Sequence, residues 1–294
     1  MNINGIITAI LAALCMGTMG VFSRKTGIQA EVITFFRLFI GAGFLLLLLI
    51  ITRQVKLLKT WPTWPVLING LMLAGFIIFY VQAMFMTTMA NAIMVVYLAP
   101  LAASIYAHFF FSEKMTKLSI LLIATALLGF GMMMEFKIDF SAQGDHLRGL
   151  FFAALSMCCY ATFILINRSI KSSIHAYTRT FYQLLIGALC MVPFFITDIP
   201  EINSENIVWI LGAGFIPGFL GILFAVMALE KLPTATFGTL AYFEPIFVVV
   251  LGWAIFGETL NTLQLTGGLL ILGSGVIKGY CTVQTPGPSK VLQL

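Results

Sequence analysis

The stretch Ala235–Glu258, ATFGTLAYFEPIFVVVLGWAIFGE, decides the fold class. It is mostly apolar and about as long as the ~20 residues with which a helix crosses a bilayer. Glu244 and Pro245 stand side by side in its middle. A charged side chain in hydrocarbon costs about 2.5 kcal/mol or more unless it is paired, protonated or faces water. Because proline also removes a backbone hydrogen bond, the stretch predicts a bent transmembrane helix with a functional carboxylate at the bend.

The rest of the chain has the composition of an integral membrane protein. Of its 294 residues, 60% are hydrophobic and only 9% are charged, which is more apolar surface than a soluble core needs. We therefore predict an all-α integral membrane protein with ten transmembrane helices. The segments are 4–22, 32–52, 66–86, 91–111, 117–135, 149–167, 177–196, 207–228, 236–256 and 262–280.

The 16 lysines and arginines indicate the orientation of these helices. Loops on the side of the N-terminus carry eleven of them, namely Arg53, Lys56, Lys59, Lys114, Lys117, Arg168, Lys171, Arg179, Lys231, Lys278 and Lys290. Loops on the other side carry Arg24, Lys25, Lys137 and Arg148, and Arg37 lies within the second segment. Since basic residues accumulate in cytoplasmic loops, we predict a multi-pass protein of the inner or plasma membrane with both termini in the cytoplasm.

An internal repeat emerges when the sequence is shifted by about 145 residues along itself. The segment 92–113, AIMVVYLAPLAASIYAHFFFSE, then falls on 237–258, FGTLAYFEPIFVVVLGWAIFGE. TFFRLFIGA at 34–42 likewise falls on TFYQLLIGA at 180–188. Each half therefore has five helices, and an odd number makes the two copies enter the membrane in opposite directions. We expect two inverted five-helix repeats, at 1–140 and 146–280, followed by a disordered cytoplasmic tail at 281–294.

Two charged residues break this repeat. Arg37 in the first half corresponds to Gln183 in the second, and Glu244 in the second half corresponds to Ala99 in the first. The scaffold needs neither charge, because the other half lacks it. Both are therefore candidates for added function.

These halves resemble a known family. Each has a tyrosine and a proline within a helix that ends in Phe-x-Glu, and the second half continues through AYFEPIFVVVLGWAIFGETL to QLTGGLLILGSGVI. The chain is similar in this to the EamA-type branch of the drug/metabolite transporter superfamily. The resemblance implies a carrier with a central cavity between the halves, commonly an exporter of amino acids, related metabolites or drugs.

The two charges have clear candidate roles in such a carrier. Glu244 would bind a substrate amine or carry a proton; the alternative is a structural carboxylate bonded to bent backbone. Arg37 would hold a substrate carboxylate; the alternative is a snorkelling or inter-helix arginine. Their depths in the membrane differ by about 10 Å. We hypothesise that a zwitterionic substrate bridges them.

Further candidates come from polar and helix-bending residues inside the segments. Tyr97, Tyr242, Tyr80 and Gln183 either line the cavity or form hydrogen bonds between helices. Pro100, Pro245 and Pro217 either act as hinges or are tolerated kinks. Glu113 and Glu258, which precede the fifth and tenth helices in equivalent turns, are predicted to be structural residues at helix ends.

The leading hypothesis is a secondary transporter that works by alternating access with a small-molecule substrate, an amino acid, amine or metabolite. A membrane-embedded enzyme and a non-transporting receptor or scaffold are the alternatives. The chain has no His-Glu-x-x-His or Gly-x-Ser-x-Gly motif and no histidine pair with metal spacing, so we expect no catalytic site, metal or cofactor. We expect no nucleic-acid partner, and either a monomer or a weak homodimer. Proton coupling and the direction of transport are left open.

Overall fold

A computed structural model describes residues 3–59, 62–111, 113, 115–137, 144–170, 173–197, 199–200, 202–259 and 261–284. In these residues the regular secondary structure is entirely helical. The helices are α1 (Ile3–Thr26), α2 (Ala30–Ile51), α3 (Trp64–Met86), α4 (Met89–Val96 and Ala99–Phe110), α5 (Lys117–Met133), α6 (Gly144–Ser169), α7 (Ala176–Thr197), α8 (Ile207–Lys231), α9 (Thr234–Ala241 and Phe243–Phe256) and α10 (Thr262–Gln284). A short 3-10 helix, Val55–Lys59, lies between α2 and α3.

Nine of these helices are long and apolar enough to cross a membrane. The fifth, α5, has 17 residues and lies at the lower limit for a spanning helix. The chain is thus a multi-pass membrane protein, as its composition predicts. The largest differences from the predicted boundaries are at three helices. α6 begins at Gly144 rather than 149, α1 ends at Thr26 rather than 22, and α10 ends at Gln284 rather than 280. The first residues of the expected tail, 281–284, are therefore helical, and 285–294 lie outside the described residues.

Helices of the first half pack mainly on helices of the second half. The pairs include α1 with α8, α2 with α7, α3 with α6, α4 with α9, and α5 with α10. In addition, α2 packs on α8, α3 on α7, α1 on α9 and α4 on α6. Small residues allow the close approaches that such packing needs. The backbones of α5 and α10, for example, come so close at Gly129 and Gly267 that a Cβ on either would collide with the carbonyl oxygen of the other.

The two ends of this bundle can be distinguished by where the described chain begins and finishes. Gly279 near the end of α10 lies against Ile6 near the start of α1, so residues 3 and 284 lie at the same end, which we name the terminal end. The other end, where α1 meets α2 and α9 meets α10, is named the opposite end. There Glu135 accepts hydrogen bonds from Asn261 and Gln264 at the start of α10. The hydrogen bond from Lys137 lowers the pKa of the Glu135 carboxyl, and the Asn261 amide adds to this.

Candidate functional site

Two helices are interrupted at the positions that the repeat predicts. α4 breaks after Val96, at Tyr97 and Leu98, and α9 breaks at Tyr242. Pro100 and Pro245 lie just beyond these breaks, in the first turn of each second piece. Since proline has no N–H, it cannot donate to the carbonyl four residues earlier, and the first piece of each helix ends there. The breaks are confirmed, whereas a hinge motion at these prolines stays a prediction.

Glu244 lies in the first turn of the second piece of α9. A carboxylate there is favoured by the positive end of the helix dipole. The side chain is half-buried, although it is in the middle of a membrane-spanning helix. The carboxylate accepts a hydrogen bond from the hydroxyl of Tyr97 in α4, so the broken helices of the two halves meet at this residue.

Two further tyrosines interact with the charge of Glu244. Tyr80 of α3 and Tyr160 of α6 are both within its electrostatic range. Phe76 connects them, with its ring centroid 4.9 Å from that of Tyr160 and 6.5 Å from that of Tyr80. Like Glu244 and Tyr97, these tyrosines are half-buried. Half-buried polar groups from four helices therefore lie around one carboxylate, which is the kind of arrangement that ligand sites use.

Arg37 of α2 supplies a positive charge to the same region. Its guanidinium interacts electrostatically with Glu244 without a hydrogen bond or direct ion pair between the two residues. One of its terminal nitrogens, Nη2, lies 3.3 Å from the sulfur of Met16 in α1, which is a weak acceptor. Its Nε atom is buried without a hydrogen-bond partner. The guanidinium therefore keeps donor capacity that a carboxylate ligand could use.

The backbone of Arg37 is set by an irregular turn in α8. Residues Gly214–Leu220 form a π-helical segment that contains Pro217. A Cβ on Gly218 would collide with the carbonyl oxygen of Arg37, so only glycine permits this approach. π-helical turns within α-helices occur often at functional sites. Pro217 lies in the turn that approaches Arg37, and a hinge at this residue remains a prediction.

Two of the sequence candidates form hydrogen bonds to other parts of the protein. Tyr242 is fully buried, and its hydroxyl donates to the backbone carbonyl of Tyr97 at 2.6 Å. Gln183 is also fully buried, and its amide nitrogen donates to the side-chain oxygen of Asn167 at 2.9 Å. In this conformation both side chains form the inter-helix hydrogen bonds that the sequence left as the alternative.

Sequence reasoning overlooked two residues near Arg37 and Glu244. Tyr160 interacts with Glu244, and Met16 contacts Arg37. They occupy equivalent positions, because the repeat lays Cys15 on Cys159 and therefore Met16 on Tyr160. The repeat could have identified them, since helices α1 and α6 are equivalent and both lie beside the broken helices.

Glu113 and Glu258 differ from their predicted role as residues at the starts of α5 and α10. Glu113 pairs with Arg168 at 2.6 Å and accepts a hydrogen bond from the backbone N–H of Thr234 at the start of α9. Glu258 pairs with Arg24. Both carboxylates therefore join the two halves of the chain, which local reasoning about the following helix could not reveal.

A comparison with protein families identifies this architecture. The model of the EamA-like transporter family matches residues 3–134 and again residues 147–277. The chain belongs to the EamA-like transporter family. The resemblance read from the Phe-x-Glu helices and from AYFEPIFVVVLGWAIFGETL is thereby confirmed.

The chain aligns with known transporters over most of their length. The chain is 26% identical over 268 residues to an uncharacterized transporter of Archaeoglobus fulgidus, covering 91% of this chain and 93% of the relative. It is 23% identical to the pseudopaline exporter CntI of Pseudomonas aeruginosa, covering 92% and 93% of the two chains. It is 25% identical to the threonine/homoserine exporter RhtA of Salmonella typhimurium, covering 72% and 70%. This EamA family member is accordingly a transporter and not an enzyme.

A solved crystal structure has the same fold. It aligns with a TM-score of 0.83 over 95% of this chain and 99% of that chain, at 16% sequence identity. At such low identity the likeness concerns the fold alone.

Proposed function

We propose that this transporter exports amino acids or closely related small metabolites that carry both an amine and a carboxylate. The observation that carries the proposal is the relation of Glu244 to Arg37, which interact electrostatically in one polar region without pairing directly. A zwitterion would give each charge a partner of opposite sign, with its amine at Glu244 and its carboxylate at Arg37. The hydroxyls of Tyr80, Tyr97 and Tyr160 would hydrogen-bond its remaining polar groups. The names of two relatives, an exporter of threonine and homoserine and an exporter of pseudopaline, support export.

We further propose that the halves 1–140 and 146–280 are inverted repeats that alternate in access around this site. The helix pairs support this arrangement, because replacing each helix by its equivalent converts the pair of α1 and α8 into that of α6 and α3. The same replacement returns the pairs of α2 with α7, α4 with α9, and α5 with α10. Such a scheme requires two conformations, each open at one end of the bundle.

The terminal end is proposed to face the cytoplasm of a cell membrane. The loops at this end contain most of the lysines and arginines, as the positive-inside rule requires. A fluorescent protein fused after Leu294 should then fluoresce, and alkaline phosphatase fused there should be inactive. An active phosphatase fusion would reverse the orientation.

Counterflow in proteoliposomes tests the substrate class. Vesicles loaded with unlabelled threonine should take up external labelled threonine in exchange. The amine that lacks the carboxylate and the hydroxy acid that lacks the amine should both exchange poorly, because each leaves one buried charge without a partner. Equal exchange of the amine and of threonine would exclude the zwitterion proposal.

The role of Glu244 is tested by Glu244→Gln. Removing one member of a buried charged contact costs 2 kcal/mol or more, so threonine counterflow should fall by at least ~30-fold. Asp145→Asn is the matched control, since Asp145 is an exposed carboxylate at the opposite end, and it should leave counterflow unchanged. Full activity of Glu244→Gln would show that the carboxylate is structural.

Glu244 is also the residue that we propose to couple transport to protons. A carboxylate that binds a substrate amine must exchange that amine for a proton or for another substrate. Threonine efflux from loaded vesicles should therefore accelerate when the outside is made acidic, and Glu244→Gln should abolish this acceleration. Efflux that ignores the proton gradient in the unmodified protein would indicate facilitated transport instead.

A further inference from the structure

Two Arg–Glu pairs lie at the two ends of the bundle. At the terminal end, Arg168 in the last turn of α6 pairs with Glu113 between α4 and α5, with 2.6 Å between Nε and Oε1. At the opposite end, Arg24 near the end of α1 pairs with Glu258 between α9 and α10. Each pair joins an arginine of one half to a glutamate of the other half.

The internal repeat relates the two pairs to each other. It lays Arg24 on Arg168 and Glu113 on Glu258. The partners in one pair are therefore the equivalents of the partners in the other, exchanged between the halves. An equivalent environment would be expected for both pairs if the two ends of the protein had the same conformation.

Their environments are different. The side chains of Arg168 and Glu113 are only 6% and 9% exposed, whereas those of Arg24 and Glu258 are 59% and 48% exposed. At the terminal end, the backbone N–H of Thr234 at the start of α9 donates to Glu113 at 2.8 Å. Arg168 also donates to the backbone carbonyl of Glu230 at the end of α8.

The equivalent hydrogen bond at the opposite end is not formed between the described residues. The repeat lays Thr234 on Met89, the first residue of α4. Within the described residues, however, the carboxylate of Glu258 is hydrogen-bonded only to Arg24. Thr87, just before α4, is instead hydrogen-bonded to His146 at the start of α6, with 2.9 Å between the two side chains.

We infer that each Arg–Glu pair is a docking point for the start of a broken helix and that transport alternates between the two docked states. In the present conformation the start of α9 is docked on Glu113 and closes the terminal end. In the alternate conformation Thr234 leaves Glu113, and the backbone N–H of Met89 docks on Glu258 and closes the opposite end. This inference rests on the alternating access proposed above.

These docking contacts connect the two ends of the bundle to the region around Glu244. The helix docked on Glu113 is α9, which breaks at Tyr242 and carries Glu244 immediately after the break. The helix that would dock on Glu258 is α4, which breaks at Tyr97, the residue that donates to Glu244. Each docking contact therefore holds the first piece of a helix whose second piece begins at the site.

The test removes one docking hydrogen bond and leaves both ion pairs intact. Thr234→Pro deletes the N–H donor at the first residue of the helix, where proline is well tolerated. The hydroxyl of Thr234 is lost as well, but it is buried without a hydrogen-bond partner. Met89→Pro is the matched change at the equivalent first residue of α4. The reporter is Leu232→Cys, at a fully buried position beside Thr234, in a chain whose five native cysteines are replaced by alanine or serine. The probe is a membrane-impermeant maleimide applied to purified protein.

Thr234→Pro should increase the rate at which the maleimide labels Leu232→Cys by ~10-fold, since a hydrogen bond to a charged acceptor is lost in one conformation only. Met89→Pro should leave this rate unchanged or lower it. A second reporter, Ile33→Cys, which is fully buried near the start of α2 at the opposite end, should stay unlabelled in both variants.

Three results would overturn the inference. They are an unchanged labelling rate in Thr234→Pro, an equal increase in Met89→Pro, and labelling of Ile33→Cys together with Leu232→Cys. The last result would mean that the contact stabilises the whole protein rather than one end. Because the assay measures access and uses no substrate, it can fail while threonine counterflow succeeds, and the reverse.

Discussion

The broken helices α4 and α9 have the same backbone design and different chemistry. Both are interrupted at a tyrosine, and both have a proline three residues later, in the first turn of the second piece. At the position before the proline, α9 has the half-buried Glu244 and α4 has the fully buried Ala99. The comparison separates the bend, which belongs to the shared scaffold, from the charge, which belongs to one half.

The two tyrosines at the breaks extend the comparison. The hydroxyl of Tyr242 donates to the backbone carbonyl of Tyr97, whereas the hydroxyl of Tyr97 donates to the carboxylate of Glu244. Equivalent side chains therefore have different acceptors, a backbone carbonyl for Tyr242 and a carboxylate for Tyr97. The single carboxylate accounts for this difference.

The largest expected effect comes from moving the charge to the other half. In the double variant Ala99→Glu, Glu244→Ala, the new carboxylate would enter a fully buried apolar position, where an unpaired charge is strongly unfavourable. Counterflow of threonine should fall by at least ~100-fold, which corresponds to about 3 kcal/mol.

Ala99→Ser serves as the control for that swap, because it keeps the size of the side chain nearly unchanged and should transport normally. If the double variant transported threonine at more than about a third of the normal rate, the two halves would be interchangeable at this position. The carboxylate would then not need to lie in α9 rather than α4.

A smaller effect is expected when Arg37 is replaced by the residue that the other half has. Arg37→Gln removes the proposed partner of the substrate carboxylate, so threonine counterflow should fall by about 30-fold, equivalent to about 2 kcal/mol. Any residual transport of the corresponding amine should be unaffected. A parallel loss for both compounds would assign Arg37 to the structure of the bundle.

The smallest effects should distinguish the two tyrosines. Tyr97→Phe removes a hydrogen bond to a charged group and should lower counterflow by ~10-fold. Tyr242→Phe removes a hydrogen bond between helices, and it should lower the free energy of unfolding by only about 0.6 kcal/mol with little change in transport. Counterflow and thermal unfolding measured on both variants check the pair, and the opposite pattern would contradict the assignment.

Much of the fold was predictable from local sequence. Apolar runs specify the helices because each backbone group in lipid must be hydrogen-bonded within its own segment, and Pro100 and Pro245 specify the breaks because proline lacks the N–H. The candidate site was partly predictable too, since an intramembrane charge such as Glu244 or Arg37 is rare and expensive.

The remaining site residues depend on which helices meet. Tyr160 looked like any other tyrosine in an apolar segment, and its approach to Glu244 follows only from the position of α6 beside α3 and the broken helices. Gln183 and Tyr242 looked equally suited to the cavity, but the packing of α6 with α7 and of α4 with α9 gives them partners elsewhere. A polar side chain can form hydrogen bonds either within the protein or to a ligand. The sequence does not indicate which of these two partners it has.

The helix at Ala235–Glu258 also has features that follow from sequence and features that depend on tertiary packing. The sequence by itself determined that it spans the membrane, that it breaks beside Pro245 and that Glu244 is peculiar to its half, because these follow from hydrophobicity, proline geometry and the repeat. Only the tertiary structure decided that Tyr97 donates to Glu244 and that Glu113, 121 residues before Thr234, holds the start of the helix. Such contacts join residues far apart in the chain, and their geometry is fixed only when the two halves pack together.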